Sequence, residues 1–245
     1  MKTVIYITNN KIDKKIGELC KKNILESAEG LRLISVSQEP MDFGENICVG
    51  KIGGTSLTIN QQMMAGLKEV NTKYVAIAEH DCLYTKEHFS FVPPDEGFFW
   101  YNTNAWFMQH GGSEKPEHTG MFSTWTERKA NSQLTCATDI MIKATQDRIS
   151  MMSDPWWKRR YPSGRIGEVG LMTQRQIDKL TTGKTLLHMK IKLEEYMMEY
   201  ESRCWKSKIP NIDIRHEDNY TKCRRGHNRR QELRPWGTME DVLNL

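Results

Sequence analysis

The run KYVAIAEHDCLY at 73–84 is apolar until it stops at Glu79-His80-Asp81. Strands of this kind usually finish in Gly, Asn or Ser, whereas this one finishes in two carboxylates separated by an imidazole. Where the chain turns after a strand, carboxylates one residue apart can both face a hard cation, and Mg²⁺ and Mn²⁺ prefer such oxygen ligands. A diphosphate can complete the shell, and the ion then neutralises charge building on a leaving phosphate. By spacing alone, such an E-x-D is more often a helix cap or a surface turn than a metal site.

The surrounding elements decide whether such a strand end can be a site. TVIYITN at 3–9 reads as a buried first strand, and DKKIGELCKKNILESA at 13–28 as a helix stopped by Gly30. LRLISVSQ at 31–38 is a second strand, followed by a long loop over 38–54 with one proline and four glycines. A helix over 55–71, capped by Thr55 or Ser56, leads into the acidic strand. GFFWYNTNAWFMQH at 97–110 reads as one further, antiparallel strand. Residues 111–133 read as loop, 134–152 as a helix and 154–170 as an aromatic-basic loop. Helices over 173–181 and 186–203 and a late strand IPNIDIRH at 209–216 complete the pattern. Strand, helix, strand, loop, helix, strand predicts an α/β fold with a mostly parallel sheet that binds its ligand at the carboxyl ends of the strands.

Composition narrows the class. With 38% hydrophobic and 27% charged residues the chain is an ordinary globular one. No apolar run reaches about 18 residues, so no membrane span is expected, and the short apolar start has no signal-peptide pattern. The six cysteines contain no C-x-x-C pair and read as reduced thiols of a cytoplasmic protein. Assembling Cys204, His216, Cys223 and His227 into a zinc site fails on spacing. Neither G-x-G-x-x-G nor G-x-x-x-x-G-K-[ST] follows the first strand, which argues against a dinucleotide site or a P-loop. Charge is uneven: from Arg203 to Arg234 ten Lys/Arg face four acids, an excess of six against +4 for the whole chain. A polyanionic partner is one reading of this, a solvated basic surface the other.

Four segments in this order, SVSQEPMDFGENICVGKIG, YVAIAEHDCLYTKEHF, FWYNTNAWF and PNIDIRHEDNYT, resemble a group of bacterial and bacteriophage GT-A-type glycosyltransferases. The resemblance covers about residues 3–110 and returns at 209–221; the centre, about 111–208, matches nothing. In that group the acidic segment reads A-E-D-D-C-L-Y, so His80 stands here in place of the middle acid. The resemblance implies a GT-A-like, Rossmann-type, mostly parallel sheet with flanking helices and a smaller helical acceptor lobe. It divides the chain into a nucleotide-sugar-binding core at 1–110, an acceptor-side region at 111–208 and a returning strand with a basic tail at 209–245. It implies Mn²⁺ or Mg²⁺ held by Glu79, Asp81 and His216, with Asp81 the safer ligand. It places Thr8, Asn9, Ser37, Gln38, Asp42, Asn46, Lys51, Gln61 and His80 around a nucleotide-sugar, UDP-linked by expectation.

An inverting enzyme also needs a carboxylate base near the acceptor hydroxyl, and Asp139, Glu168 and Glu201 are candidates, Glu168 preferred. In DPWWKRRYPSGR, Trp156, Trp157, Arg159 and Arg160 interleave rings with cations, as sugar rings or stacked bases on a phosphate backbone require. Arg224 and Arg225 add to the basic tail. The acceptor implied on that side is a hydroxymethylated pyrimidine in phage DNA, which the enzyme would have to flip out or reach at an opened step; a glycan or small molecule is the alternative, and an inter-lobe core explains the tryptophans equally well. Two rival classes stand beside this one. A non-catalytic nucleic-acid-binding protein would rest on the basic-aromatic segments, and a nucleotidyltransferase on the paired carboxylates.

Overall fold

A computed structural model describes residues 1–111, 118–125, 127–160, 168–169, 187–219 and 228–245. The first half alternates β1 (Lys2–Ile7), α1 (Lys14–Ser27), β2 (Arg32–Ser37), β3 (Glu45–Cys48), α2 (Ser56–Leu67) and β4 (Tyr74–Glu79). Then come β5 (Cys82–Leu83), α3 (Lys86–Ser90), β6 (Phe99–Asn102), β7 (Ala105–Gln109) and β8 (Phe122–Thr124). The remainder supplies β9 (Leu134–Ala137), α4 (Thr138–Ser153), α5 (Pro155–Arg160) and α6 (Leu187–Glu199). It ends in β10 (Ser202–Trp205), β11 (Asn211–Arg215), β12 (Asn228–Arg230) and α7 (Met239–Leu243).

The expected parallel α/β sheet is present. Its strand order is β10-β6-β9-β4-β1-β2-β3. The β3–β2, β2–β1, β1–β4 and β6–β10 pairs are parallel, and only β9 runs against its neighbours. From β1 the chain moves outward to β2 and β3, then returns through α2 to β4 on the other side of β1. That reversal creates a crevice at the carboxyl ends of β1 and β4, the place where open α/β sheets bind ligands.

Both faces of the sheet are covered, so β1 and β4 read as continuous apolar runs rather than alternating ones. One face packs Ile5, Ile34, Val36, Val75, Ile77 and Phe99 against Met63 and Leu67 of α2 and Met141 and Ala144 of α4. The other packs Val4, Tyr6, Ala76 and Ala78 against Ile24 of α1 and Phe89. Asp13 caps α1 by accepting from Ile16 N, and Thr55 and Thr58 form a reciprocal capping box on α2.

A second sheet, β12-β8-β7-β11-β5, begins where the first stops. β5 opens one residue past Asp81 and pairs antiparallel with β11, while β11 runs parallel to β7. Its apolar face buries Met108, Phe122, Ile212 and Ile214 against Ile16 and Cys20 of α1 and Val242 of α7. Helix α1 therefore serves both sheets.

The structure departs from the sequence expectations at short strands. GFFWYNTNAWFMQH is two strands in different sheets, not one. At the break Asn104 N donates to Asn102 Oδ1 at 3.0 Å, and the two asparagine amides donate to Ser207 Oγ and Ser207 O, each at 2.9 Å. The segment expected as a helix from residue 134 opens instead as β9. No side-chain hydrogen bond caps α4, so no sequence signal separates strand from helix there. The expected loop over 38–54 contains β3, an edge strand with no fully buried residue. The end of the expected helix over 186–203 is β10, and the aromatic-basic loop opens as α5. The helix expected over 173–181 lies outside the described residues. Strands β9 and β10, from the middle segment assigned to an acceptor region, complete the central sheet.

Two features of this packing generate predictions. A methyl group at Gly66 of α2 would sit 2.9 Å from both Ile5 Cγ2 and Val36 Cγ2. Helix propensity favours alanine by about 1 kcal/mol, but overpacking a rigid sheet costs about 1–3 kcal/mol, so packing wins. Gly66→Ala is expected to lower the melting temperature, by about 2–4 °C per kcal/mol lost in a chain of this size; an unchanged or raised melting temperature contradicts the packing.

The other is His88, fully buried between Tyr84, Phe89 and Trp205. Burial, aided by the Lys2 charge, pushes its pKa down to about 3. The Lys2 ammonium itself donates to Phe89 O at 2.8 Å and to Phe91 O. The folded state thus keeps the imidazole neutral while the unfolded chain protonates below about 6.5. Stability present above that pH is lost as the pH falls toward 3, at about 1.4 kcal/mol per unit from this group. Urea midpoints at pH 7 and pH 5 should differ more for the wild type than for His88→Gln; parallel shifts would exclude His88 as the source.

Candidate metal centre

β4 delivers Glu79, His80 and Asp81 to the crevice, and three contacts hold the turn that follows. Glu79 N donates to the Tyr84 hydroxyl at 2.9 Å. The Asp81 carbonyl accepts from Ile214 N at 2.7 Å, which ties the end of β4 to β11. Thr8, at the end of β1, places its hydroxyl 2.7 Å from His80 Nδ1 and accepts from Asn10 N at 2.9 Å. With Nδ1 as the donor to Thr8, His80 keeps its Nε2 lone pair for another partner.

His216, one residue beyond β11, completes the cluster. Its Nε2 is buried, has no hydrogen-bond partner and lies 3.8 Å from Asp81 Oδ2. The His80 and His216 rings meet edge-on with centroids 5.7 Å apart. Asn219 locks the loop, accepting from His216 N at 2.6 Å and donating to Asp81 Oδ2 at 2.5 Å. Two ligand sets result, His80–Asp81–His216 and Glu79–Asp81–Cys82, and within each set the ligand atoms lie within 4.8 Å of one another. Asp81 belongs to both. His80, which the resemblance set among the nucleotide-sugar contacts, stands here with His216 among the potential ligands.

The two carboxyls of the site are shifted in opposite directions. Burial pushes the Glu79 carboxyl well above the ordinary carboxylate range, and Asp81, Asp213 and Glu168 push it the same way. Burial also opposes charge on Asp81, but His80, Arg215, His216 and the Asn219 hydrogen bond together hold its pKa below the usual value. A buried imidazole nitrogen without a partner, 3.8 Å from a carboxylate oxygen, is too far for a hydrogen bond and suits two ligands of one ion. The Asp81 oxygen suits Mn²⁺ or Mg²⁺, and the two imidazoles favour a transition ion such as Mn²⁺ over Mg²⁺.

Many residues expected to contact a nucleotide-sugar brace the loop over it instead. Gln38 Oε1 accepts from Ile52 N and Gly53 N, each at 3.2 Å, and its amide donates to Gly53 O at 2.5 Å. Asn46 donates to Ser35 Oγ at 2.8 Å and Ser37 Oγ at 2.9 Å. Asn9 Oδ1 accepts from Lys11 N at 2.9 Å. Lys51 is exposed and paired with Glu39 at 3.0 Å, and Asp42 and Gln61 are exposed. Gln62, beside Gln61, is buried and donates to Thr8 O at 2.7 Å and Val36 O at 3.1 Å, fastening α2 to the ends of β1 and β2.

Of the three carboxylates considered as a base, Glu168 is half-buried and its charge reaches Glu79. Asp139 is exposed in the first turn of α4, and the exposed Glu201 pairs with Arg203 at 3.1 Å. The tryptophans need a correction. Trp157 is fully buried in the core with Val169, Leu193 and Tyr200, and Trp156 packs against that core. Trp157 therefore offers no ring to an acceptor, because the N-terminal half of the aromatic-basic segment is a helix with its own apolar face. Arg159 is exposed, the Arg160 side chain is not among those described, and Arg224 and Arg225 lie outside the described residues.

Sequence reasoning missed a buried ionic group beside the centre. Asp213 of β11 pairs in register with Cys82 and binds both Arg128 and Arg215, the latter at 2.8 Å. An isolated D-x-R in a strand carries no signal for this, because Arg128 arrives from 85 residues away.

The centre is thus an acidic-imidazole cluster at the switch point of an α/β sheet. No protein-family model matches the sequence, and no curated protein matches it either. Solved structures that it matches include the bifunctional IspDF from Campylobacter jejuni, at 11% identity and a TM-score of 0.36, over 59% of this chain and 42% of that one. A glycosyltransferase involved in the glycosylation of the major capsid of PBCV-1 aligns at 11% identity and a TM-score of 0.38, over 66% of this chain and 71% of that one. S. aureus TarS aligns at 10% identity and a TM-score of 0.41, over 87% of this chain and 36% of that one. The chain thus spans less than half the length of IspDF and TarS, and likeness at this level assigns no activity.

Asn219 is the testable brace of the centre. Asn219→Ala removes a donor from a buried carboxylate, at an expected cost of about 1–3 kcal/mol. A chemical-denaturation midpoint unchanged from the wild type would show that Asn219 does not hold Asp81.

Proposed function

We propose that the chain is a glycosyltransferase that moves a sugar from a nucleotide-sugar, UDP-linked, to an acceptor hydroxyl with the help of Mn²⁺ or Mg²⁺. The observation that carries this reading is the buried, unpartnered His216 Nε2 set 3.8 Å from Asp81 Oδ2 at the sheet's switch point. Asp81 and His216 would hold the cation, with His80 or Glu79 beside them. When bound, the ion supplies neutralisation of the charge left on the diphosphate as the sugar carbon detaches.

The protein's own residues do the rest. Thr8 orients His80, Asn219 orients Asp81, and the Gln38–Gly53 clamp sets the loop that flanks the donor. Glu168 is the carboxylate we assign to take the acceptor's proton in an inverting reaction. We retain a hydroxymethylated pyrimidine in DNA as the acceptor. Exposed Arg229 and Arg230 on the edge strand β12 and exposed Arg159 favour an anionic partner, although the tryptophan platform no longer contributes. Free Cys20, Cys48, Cys82, Cys136 and Cys204 agree with a reducing, cytoplasmic setting, and among the described residues no helix is long and apolar enough to cross a membrane.

Isothermal calorimetry tests the reading. UDP should bind the wild type in a Mn²⁺-dependent way, and Asp81→Asn should weaken that binding by roughly a hundredfold, at or beyond the loss typical of outer-shell changes. Equal Mn²⁺-dependent affinity in both proteins rejects the assignment. Mass analysis of nucleosides after incubation with nucleotide-sugars and hydroxymethylated DNA identifies the acceptor.

A further inference from the structure

The Arg128–Asp213–Arg215 group carries two loose ends. Arg128 is 7% exposed and Asp213 is 2% exposed. Both guanidiniums bind the same oxygen, Asp213 Oδ2, and both lie over the Phe107 ring, 3.7 Å and 4.2 Å from its centroid. Asp213 Oδ1 and Arg128 Nη1 are buried and have no hydrogen-bond partner. Leaving an acceptor and a charged donor unmet in one buried ion pair is costly, so the pair is weak as a stabilising device and its two open groups call for a partner.

The chemistry of the two orphans limits what can satisfy them together. A phosphate or carboxylate suits Arg128 but is repelled by Asp213 Oδ1, and an ammonium suits Asp213 but is repelled by Arg128. A hydroxyl does both: its hydrogen goes to the carboxylate and its lone pair accepts from the guanidinium. Position supplies the second limit. Asp213 faces Cys82 across the β5–β11 pair, next to Asp81, and its charge acts on Glu79 and His80. Trp125, half-exposed and edge-on to Phe107 at 5.1 Å, flanks the group.

We infer that Arg128 and Asp213 together bind a hydroxyl of the donor's hexose and so set which sugar the site accepts. This rests on the glycosyltransferase reading above. A site built to pair with a hydroxyl discriminates strongly against a sugar that presents it differently, because the buried groups are then left unmet.

Calorimetry with UDP, UDP-glucose, UDP-galactose and UDP-N-acetylglucosamine in Mn²⁺ tests this on the full chain. Arg128→Lys keeps a cation for Asp213 but loses the guanidinium fork, and Asp213→Asn keeps the shape but loses the charge. In the wild type the affinities of the three sugars should spread roughly ten- to a hundredfold, the value of a charged hydrogen bond, and in Arg128→Lys that spread should largely collapse. If Asp213→Asn fails to fold, Arg128→Lys alone decides, its thermal unfolding serving as the control. A wild type with no spread overturns the inference, as does a spread that survives in the folded variants; in that last case the orphans hold an ordered water only. If UDP itself does not bind the wild type, the glycosyltransferase reading fails and this inference with it; if UDP binds but the spread is insensitive to Arg128, the inference alone fails.

Discussion

Asp81 is where the two sheets of this protein are joined. Its carbonyl accepts from β11, its carboxylate is gripped by Asn219, and His216 stands opposite. A buried carboxylate is tolerated only when its charge is met. Here His216, Arg215 and an asparagine amide meet it from the side of the second sheet, while β4 fixes its position and adds His80 from the first. The same contacts that make the junction stable therefore concentrate potential ligands at the switch point. Fold and site share one set of bonds, and either sheet displaced alone would leave Asp81 uncompensated.

The architecture was legible where burial is continuous. β1, β2 and β4 are covered on both faces, so their sequences are unbroken apolar runs, and α1 and α2 carry true caps at Asp13 and Thr55. It was illegible where strands are short and their partners distant. β9 leads straight into α4 with no capping side chain between them, and β3 and β10 are edge strands with partly exposed residues. The Asn-Thr-Asn break between β6 and β7 did leave a signal, since asparagine side chains mimic turns, but the aromatic residues on both sides hid it.

The centre was legible in part for the same reason. Glu79 and Asp81 announce themselves at a strand end, and His216 follows a strand of matching type. Their pairing is a tertiary fact: His80 meets His216 while its Nδ1 lies 2.7 Å from the hydroxyl of Thr8, 72 residues earlier. The loop polar groups read as ligand contacts for their chemistry alone. Gln38 and Asn46 have that chemistry and use it on the backbone and on neighbouring hydroxyls. Trp157 shows the converse, since an aromatic residue among arginines looks like a surface platform until the helical turn points it inward.

The order of strands has a bearing on how the polypeptide acquires its shape. β4 borders β9, β9 borders β6, and β6 borders β10, so the sheet begun at residue 2 is finished only near residue 205. β5 likewise waits for β11. During synthesis the early α/β units emerge with one flank open, and contacts between distant segments close slowly because long loops must be ordered first. A nascent chain stopped before the late strands would expose the apolar edge of β4 and leave its acidic tip without an imidazole facing it.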